Sequence, residues 1–336
     1  MTKRRNSQNK ARRQDRWIAV ITYAVAFLIL LAIAAGAGYY FGFDAGRSHT
    51  KKAYEKERAA TAEMLEKLQN AAKKGAETTA PELTKRLQGV LERDQQKYSA
   101  AHEYADDPTI DRPVDRPVKL TANLPKLAII IDDVAFPRDI RLIKELNLPL
   151  TMSFLPPSPN HPNSAKLAQK EPYYMVHLPL EAKNFSAEEP STLRVHDTQY
   201  DVTRRVAELK KLFPKVEFVN NHTGSTFTAD ETAMNRLVFA LNKEGIRFID
   251  SRTTAETKVP VVMKNYGMPY LARDVFLDHH PDIASVKKQI ARAIEVAKTH
   301  GSAIAIGHPH KNTLEALRQS RDLLQEVELV RIDRLL

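Results

Sequence analysis

Hydrophobic and polar positions fall into three regimes along this chain. Residues 17–43 form an uninterrupted run of 27 uncharged and mostly apolar positions. Between residue 50 and about 105, apolar positions such as Met64, Leu65, Leu68, Leu83, Leu87, Val90 and Leu91 recur at helical spacing among Ala, Glu, Lys and Gln. From Lys126 onward the pattern changes to short, wholly apolar runs separated by amphipathic stretches of helix length.

The short runs read as strands at 127–131, 150–154, 174–178, 216–220, 246–250, 270–276 and 302–306, with an eighth at 328–332. Amphipathic helices are expected between most of them, at 138–146, 202–212, 231–243 and 286–298. Strands that are apolar throughout suit a sheet covered on both faces. Strand alternating with helix gives a mostly parallel α/β sheet, and seven or eight strands in this length predict a deformed or incomplete (β/α) barrel. Residues 126–336 therefore read as one α/β domain, long enough to bury its own core.

The first regime predicts a transmembrane helix over 17–43. About 20 residues at ~1.5 Å per residue cross a hydrocarbon slab of roughly 30 Å. Trp17 at one edge and Tyr39 and Tyr40 near the other suit the headgroup region. Residues 1–16 hold seven basic side chains against the single acid Asp15, which sets a cytoplasmic tail and an extracytoplasmic or periplasmic C-terminal domain. A cleaved signal peptide is the competing reading, but its apolar core is shorter, at about 7–15 residues. Residues 44–125 form a linker. Its helical part is broken at Lys73-Lys74-Gly75 and Pro81, and residues 106–125 carry four prolines and no apolar periodicity. The stretch 50–105 is the expected surface for self-association or partner binding.

Charge does not point to nucleic acid. Of the net +10, residues 1–16 supply +6 and residues 126–336 only +3, so the basic excess marks topology. Cysteine is absent, so no disulfide staples the domain.

In parallel α/β folds the loops after the strands converge on one rim, where ligands bind. That rim receives Asp132-Asp133, His177, Asn221-His222-Thr223-Gly224-Ser225, Asp250-Ser251-Arg252, Asp278-His279-His280 and Gly307-His308-Pro309-His310. A lone aspartate after a strand is commonly a cap or turn residue. His161, His196 and His300 read as ordinary surface or loop histidines. A carboxylate pair together with several histidine sites on one rim is the donor set of a catalytic Zn²⁺. Such a cation lowers the pKa of bound water to about 7. Adjacent aspartates are not expected to point the same way from a strand end, so one would bind metal while its neighbour takes a proton or orients a ligand. No G-x-S-x-G, P-loop or dinucleotide fingerprint occurs.

Five stretches together resemble the divergent polysaccharide deacetylases, distant relatives of the NodB-type carbohydrate esterases. They are Ile129-Ile130-Ile131-Asp132-Asp133, His177-Leu178-Pro179-Leu180-Glu181, Asn220-Asn221-His222-Thr223-Gly224-Ser225, Arg273-Asp274-Val275-Phe276-Leu277-Asp278 and Ala303-Ile304-Ala305-Ile306-Gly307-His308-Pro309-His310. The resemblance implies metal-dependent removal of an N- or O-acetyl group from a glycan. It casts Asp132 as base, Asp133 as a metal ligand, and His308 or His310 as acid. The parents' H-x-x-x-H motif is missing; His177 stands near its place, and His222 falls where the parents carry Arg-Pro. The expected ligands are thus Asp133, His177 and His222, with Asn221, Ser225, Asp250, Arg252 and Asp278 lining the substrate. The resulting expectation is a membrane-anchored hydrolase acting on a cell-wall or surface polysaccharide such as peptidoglycan, with Zn²⁺ as the expected cofactor. A non-catalytic glycan-binding scaffold and hydrolysis of another bond, such as a phosphoester, are its rivals.

Overall fold

The computed structural model describes residues 114, 124–183, 185 and 188–335. The chain divides into two units, Met1–Val90 and Leu91–Leu336, and every described residue belongs to the second. The basic tail 1–16, the membrane helix 17–43 and nearly all of the linker 44–125, including the 50–105 surface, lie outside the described residues. Among the described residues no helix is long and apolar enough to cross a membrane.

Eight strands form one sheet: β1 (Lys126–Val134), β2 (Thr151–Phe154), β3 (Met175–Leu180), β4 (Phe218–Thr223), β5 (Arg247–Ile249), β6 (Val275–Phe276), β7 (Ser302–Gly307) and β8 (Glu328–Val330). Their order is β5-β4-β3-β2-β1-β7-β6, and β8 pairs with the first residues of β1. Every strand pairing is parallel. The ends of the series, β5 and β6, meet only through an isolated bridge between Asp250 and Ala272. The result is the incomplete (β/α) barrel expected from the strand and helix alternation.

Helices α1 (Pro137–Glu145), α2 (Ser164–Ala168), α3 (Gln199–Leu212), α4 (Glu231–Lys243), α5 (Val259–Asn265), α6 (Ile283–His300), α7 (Lys311–Gln319) and α8 (Arg321–Leu324) connect the strands. The longer ones begin on side-chain caps that take orphan N–H groups. Thr198 and Asp201 form a capping box for α3, Asp230 accepts from the Ala233 N–H at 2.7 Å, and Asp282 accepts from Ser285 at 2.9 Å. Helices α2, α5 and α8, of four to seven residues, show too few turns for a period in the sequence, and α7 was not among the helices expected.

Two apolar clusters sit on opposite faces of the sheet. The larger joins helix residues such as Leu209, Leu237 and Ile290 to Leu127, Ile129 and Ile131 of β1. The smaller has no helical members among its buried residues from β1 to β7, and contains Ala128, Ile130, Met175, Phe218, Ile249, Phe276, Ile304 and Ile306. It fills the barrel interior. Val330 and Ile332 join this inner cluster, with a 3-10 turn at Ile332–Arg334 that lies at the N-terminal end of the strands. There the Ile332 N–H donates to Thr151 Oγ1 at 3.0 Å and Lys126 Nζ to the Arg334 carbonyl at 2.8 Å, closing the barrel floor.

Two strands depart from the expected limits. β4 starts later than residue 216 and runs on through His222 and Thr223, which places the histidine within the strand. β6 keeps only Val275–Phe276 of the expected 270–276. The buried Arg273 and Asp274 bond across to neighbouring backbone there. Arg273 Nε donates to the Ser251 carbonyl at 2.8 Å, and Asp274 Oδ2 accepts the Ile304 N–H at 2.9 Å.

At the end of β4, Thr223 has φ 55°, and Gly224 after it has φ 101°. A Cβ on Gly224 would stand 3.0 Å from Leu180 Cβ. Gly224→Ala is expected to lower stability by more than about 1 kcal/mol, from left-handed strain plus the clash. An unchanged thermal midpoint would contradict this account of the turn.

Candidate active site and metal centre

Side chains alternate between faces along a strand, so the inner cluster predicts which residues at the strand ends also face inward. Ala128 and Ile130 lead to Asp132; Met175 leads to His177; Phe218 leads to Asn220 and His222. In the same way Ile249 leads to Ser251, Phe276 to Asp278, and Ile304 and Ile306 to His308. The barrel interior is therefore apolar towards its floor and polar at its mouth.

Asp133 has the wrong parity for this mouth, and the backbone corrects it. The β1–β2 register shifts between Ile131 and Val134, and Asp133 adopts φ 56°. Left-handed backbone outside glycine costs of order 1–3 kcal/mol and clusters at functional sites. The outcome overturns the expectation that adjacent aspartates diverge. Asp132 Oδ2 lies 3.6 Å from His177 Nδ1, while Asp133 Oδ1 lies 3.4 Å from Nε2 of the same ring.

Asp133, His177 and His222 form one group whose donor atoms could hold a metal ion. Asp133 Oδ1 is 3.1 Å from His222 Nδ1 and 3.4 Å from His177 Nε2. Ligands bound at 2.0–2.2 Å in a tetrahedron are ~3.4 Å apart. His177 Nε2 is buried and makes no hydrogen bond, as expected of a lone pair kept for a cation. Two imidazoles and one carboxylate are a donor set of the kind that binds a divalent cation. Asp133 keeps 14% side-chain exposure, whereas His177 and His222 are closed off, so access is from the Asp133 side.

A second group, Asp278, His308 and His310, also brings its donor atoms together. Its carboxylate is already engaged. Asp278 Oδ2 accepts the His308 N–H and the Thr313 hydroxyl, each at 2.7 Å, and Oδ1 lies 3.0 Å from His308 Nδ1. This is the geometry of an oriented imidazole. His308 Nε2, without a hydrogen bond, points to the mouth 3.8 Å from Asp133 Oδ2. His310 stacks on His308 with centroids 5.5 Å apart and is half-buried.

Burial and charge shift both Asp132 and His308 upwards from their ordinary values. Burial raises the Asp132 carboxyl to about 7, against the pull of His308 and the Asn220 hydrogen bond, with the Asp133 charge adding to the rise. For His308, burial alone would lower the pKa. The charge and hydrogen bond of Asp278, aided by Asp133 and Asp132, outweigh it and push the imidazole up to about 9. Burial, then the charge of His222, brings His177 down to about 3. Burial opposes ionisation of Asp133, but the His222 hydrogen bond and the charges of His308, His222 and His177 prevail and hold it below the usual carboxylate range.

Of the five expected substrate contacts, Asn221, Asp250 and Asp278 are buried, and Arg252 and Ser225 are half-buried. Asn221 and Asp250 have the outward parity of Val219 and Phe248 and are fully buried. Asn221 Oδ1 accepts the Ser251 N–H at 2.8 Å and its Nδ2 donates to the Thr223 carbonyl at 2.6 Å, tying two strand ends together. Asp250 accepts from the Arg252 N–H, the Thr257 hydroxyl and the Tyr270 hydroxyl at 2.8–2.9 Å. Asp278 orients His308, and Arg252, at φ 53°, donates to the Arg273 carbonyl at 3.2 Å. Ser225 is half-exposed, with its hydroxyl accepting the Lys183 N–H at 2.8 Å. His161 is buried, not on the surface, with Nε2 3.0 Å from both Ser158 Oγ and Glu189 Oε1. Asn220 and Ser251, named within the sequence motifs but without an assigned role, and Ser153, which no motif contains, also join the site; Asn220 is two positions before His222 and shares its parity.

Fold and site define an α/β barrel protein whose mouth is built from carboxylates and imidazoles. Residues 129–336 match the family model described as divergent polysaccharide deacetylase. An uncharacterized protein of Haemophilus influenzae is 32% identical over 210 residues, covering 61% of this chain and 74% of its own. The uncharacterized protein YibQ of Escherichia coli is 31% identical over 214 residues, covering 63% and 67%. The crystal structure of uncharacterized protein ATU2773 from Agrobacterium tumefaciens shares the fold, with a TM-score of 0.56 at 20% identity over 71% of this chain and 95% of that one. The chain belongs to the divergent polysaccharide deacetylase family.

Proposed function

We propose that this chain is a membrane-anchored, metal-dependent hydrolase that removes acetyl groups from an envelope polysaccharide. The observation that carries the reading is the meeting of Asp133, His177 and His222, with Asp132 and His308, at one barrel mouth. Asp133, His177 and His222 would hold the cation. When bound, it polarises the acetyl carbonyl and makes hydroxide available near neutral pH.

The protein's own groups divide the remaining work. Asp132, raised towards 7, is suited to take a proton from the attacking water and is held in place by Asn220. His308, raised towards 9, is cationic at neutral pH and is suited to protonate the departing amine or alkoxide. Asp278 holds its ring in one orientation through Nδ1. The anchor is the apolar segment 17–43, with the basic tail on the cytoplasmic side and the barrel facing the envelope.

The purified chain should release acetate from acetylated chitooligosaccharide or peptidoglycan. Chelation should abolish the release and added Zn²⁺ restore it. A chain that takes up Zn²⁺ and binds glycan yet releases no acetate would overturn the hydrolase reading in favour of a glycan-binding protein.

A further inference from the structure

Asn220 is fully buried at the centre of the mouth, and all four of its bonding positions are used. Its Nδ2 donates to Asp132 Oδ1 at 2.9 Å and Oδ2 at 2.8 Å, and to Ser251 Oγ at 3.1 Å. Its Oδ1 accepts the Ser153 hydroxyl at 2.7 Å and lies 3.1 Å from His177 Nδ1. A carboxyl group carries at most one proton, so at least one of the two Asp132 oxygens touched by this end of the amide can only accept, which makes that end the NH2. The amide oxygen is then left facing His177, and an amide oxygen also only accepts. His177 must therefore carry its proton on Nδ1. The opposite nitrogen, Nε2, is left as a lone pair, and it is the atom that lies 3.4 Å from Asp133 Oδ1.

We propose that Asn220 is a positioning residue which, through one amide, ties the orientation of the base Asp132 to the tautomer of His177 and so aims His177 Nε2 at the cation. This rests on the reading of Asp132 as base and of Asp133 and His177 as ligands. Neighbouring groups that orient a ligand histidine typically contribute about 10–100-fold in metal affinity. Asn220 does so without adding charge, so the fixed negative charge of the mouth stays with the aspartates.

The test uses the full-length chain in detergent, labelled with ¹⁵N-histidine and freed of metal. Long-range ¹H–¹⁵N spectra, with His177 assigned by comparison with His177→Gln, should show the Nδ1–H tautomer. In Asn220→Ala the tautomers should mix, and Zn²⁺ affinity should fall about 10–100-fold. Circular dichroism checks that the variant is folded. A wild-type His177 protonated on Nε2 would overturn the proposal even if the variant did not fold. So would an Asn220→Ala chain with unchanged tautomer and unchanged Zn²⁺ affinity. Failure of the wild-type chain to bind Zn²⁺ would sink the metal reading separately, and the tautomer would still decide the role of Asn220.

Discussion

Asp133→Asn is expected to leave the chain folded but unable to take up a cation. The substitution keeps a residue type that tolerates the left-handed backbone at φ 56° and removes the charge that two imidazoles face. His222→Ala is expected to act in the same way, since it deletes another of three donors at a mouth outside both apolar clusters. Wild-type chain should take up about one equivalent of Zn²⁺, and at a thousandfold excess over Kd gain about 4 kcal/mol of stability from it. The variants should lose both the uptake and the gain, with metal-free thermal midpoints close to wild type. Full metal content by elemental analysis in either variant would refute the ligand set.

The second large effect concerns proton transfer. Removing a positioned acid or base typically costs about 10²–10⁴-fold in rate. Asp132→Asn and His308→Gln are each expected to lose that much acetate release while keeping Zn²⁺. The sign of the pH dependence follows from the required forms. Asp132 must be ionised to accept a proton, so activity rises as pH climbs through its pKa, about 7 without metal. His308 must be protonated to donate, so activity falls as pH climbs through its pKa, about 9 without metal. A nearby cation favours the deprotonated form of both groups, so the loaded protein should show its bell at lower pH. Asp132→Asn should erase the acidic limb of what activity remains, and His308→Gln the alkaline limb. A profile with both limbs intact in either variant would remove that residue from the mechanism.

The strand count, the parallel order and the barrel were legible because uniformly apolar runs alternate with helical periods, a signal that survives without tertiary information. Convergence of strand ends on one rim put Asp133, His177 and His222 among several candidates there, and the family resemblance singled them out. What stayed hidden was which face each side chain takes. Asn221 and Asp250 sit next to site residues in sequence but one step out of phase, and one step in a strand turns a side chain to the opposite face. Parity counted from the inner apolar residues would have moved attention from Asn221 to Asn220 and from Asp250 to Ser251. Parity would have failed at Asp133, because a bulge and a left-handed residue are properties of the β1–β2 pairing. The short β6 was equally out of reach, since Asp274 takes a backbone N–H from a strand about thirty positions away.

The floor of the barrel carries a consequence for how the chain is made. Lys126 and Arg334 meet across 208 positions, and β8 adds to the very strand that carries the two aspartates. Contacts of such separation slow folding, because the loop must close before they form. A nascent chain therefore cannot complete the surroundings of β1 until β8 has been made, so synthesis order holds the barrel floor open until that point.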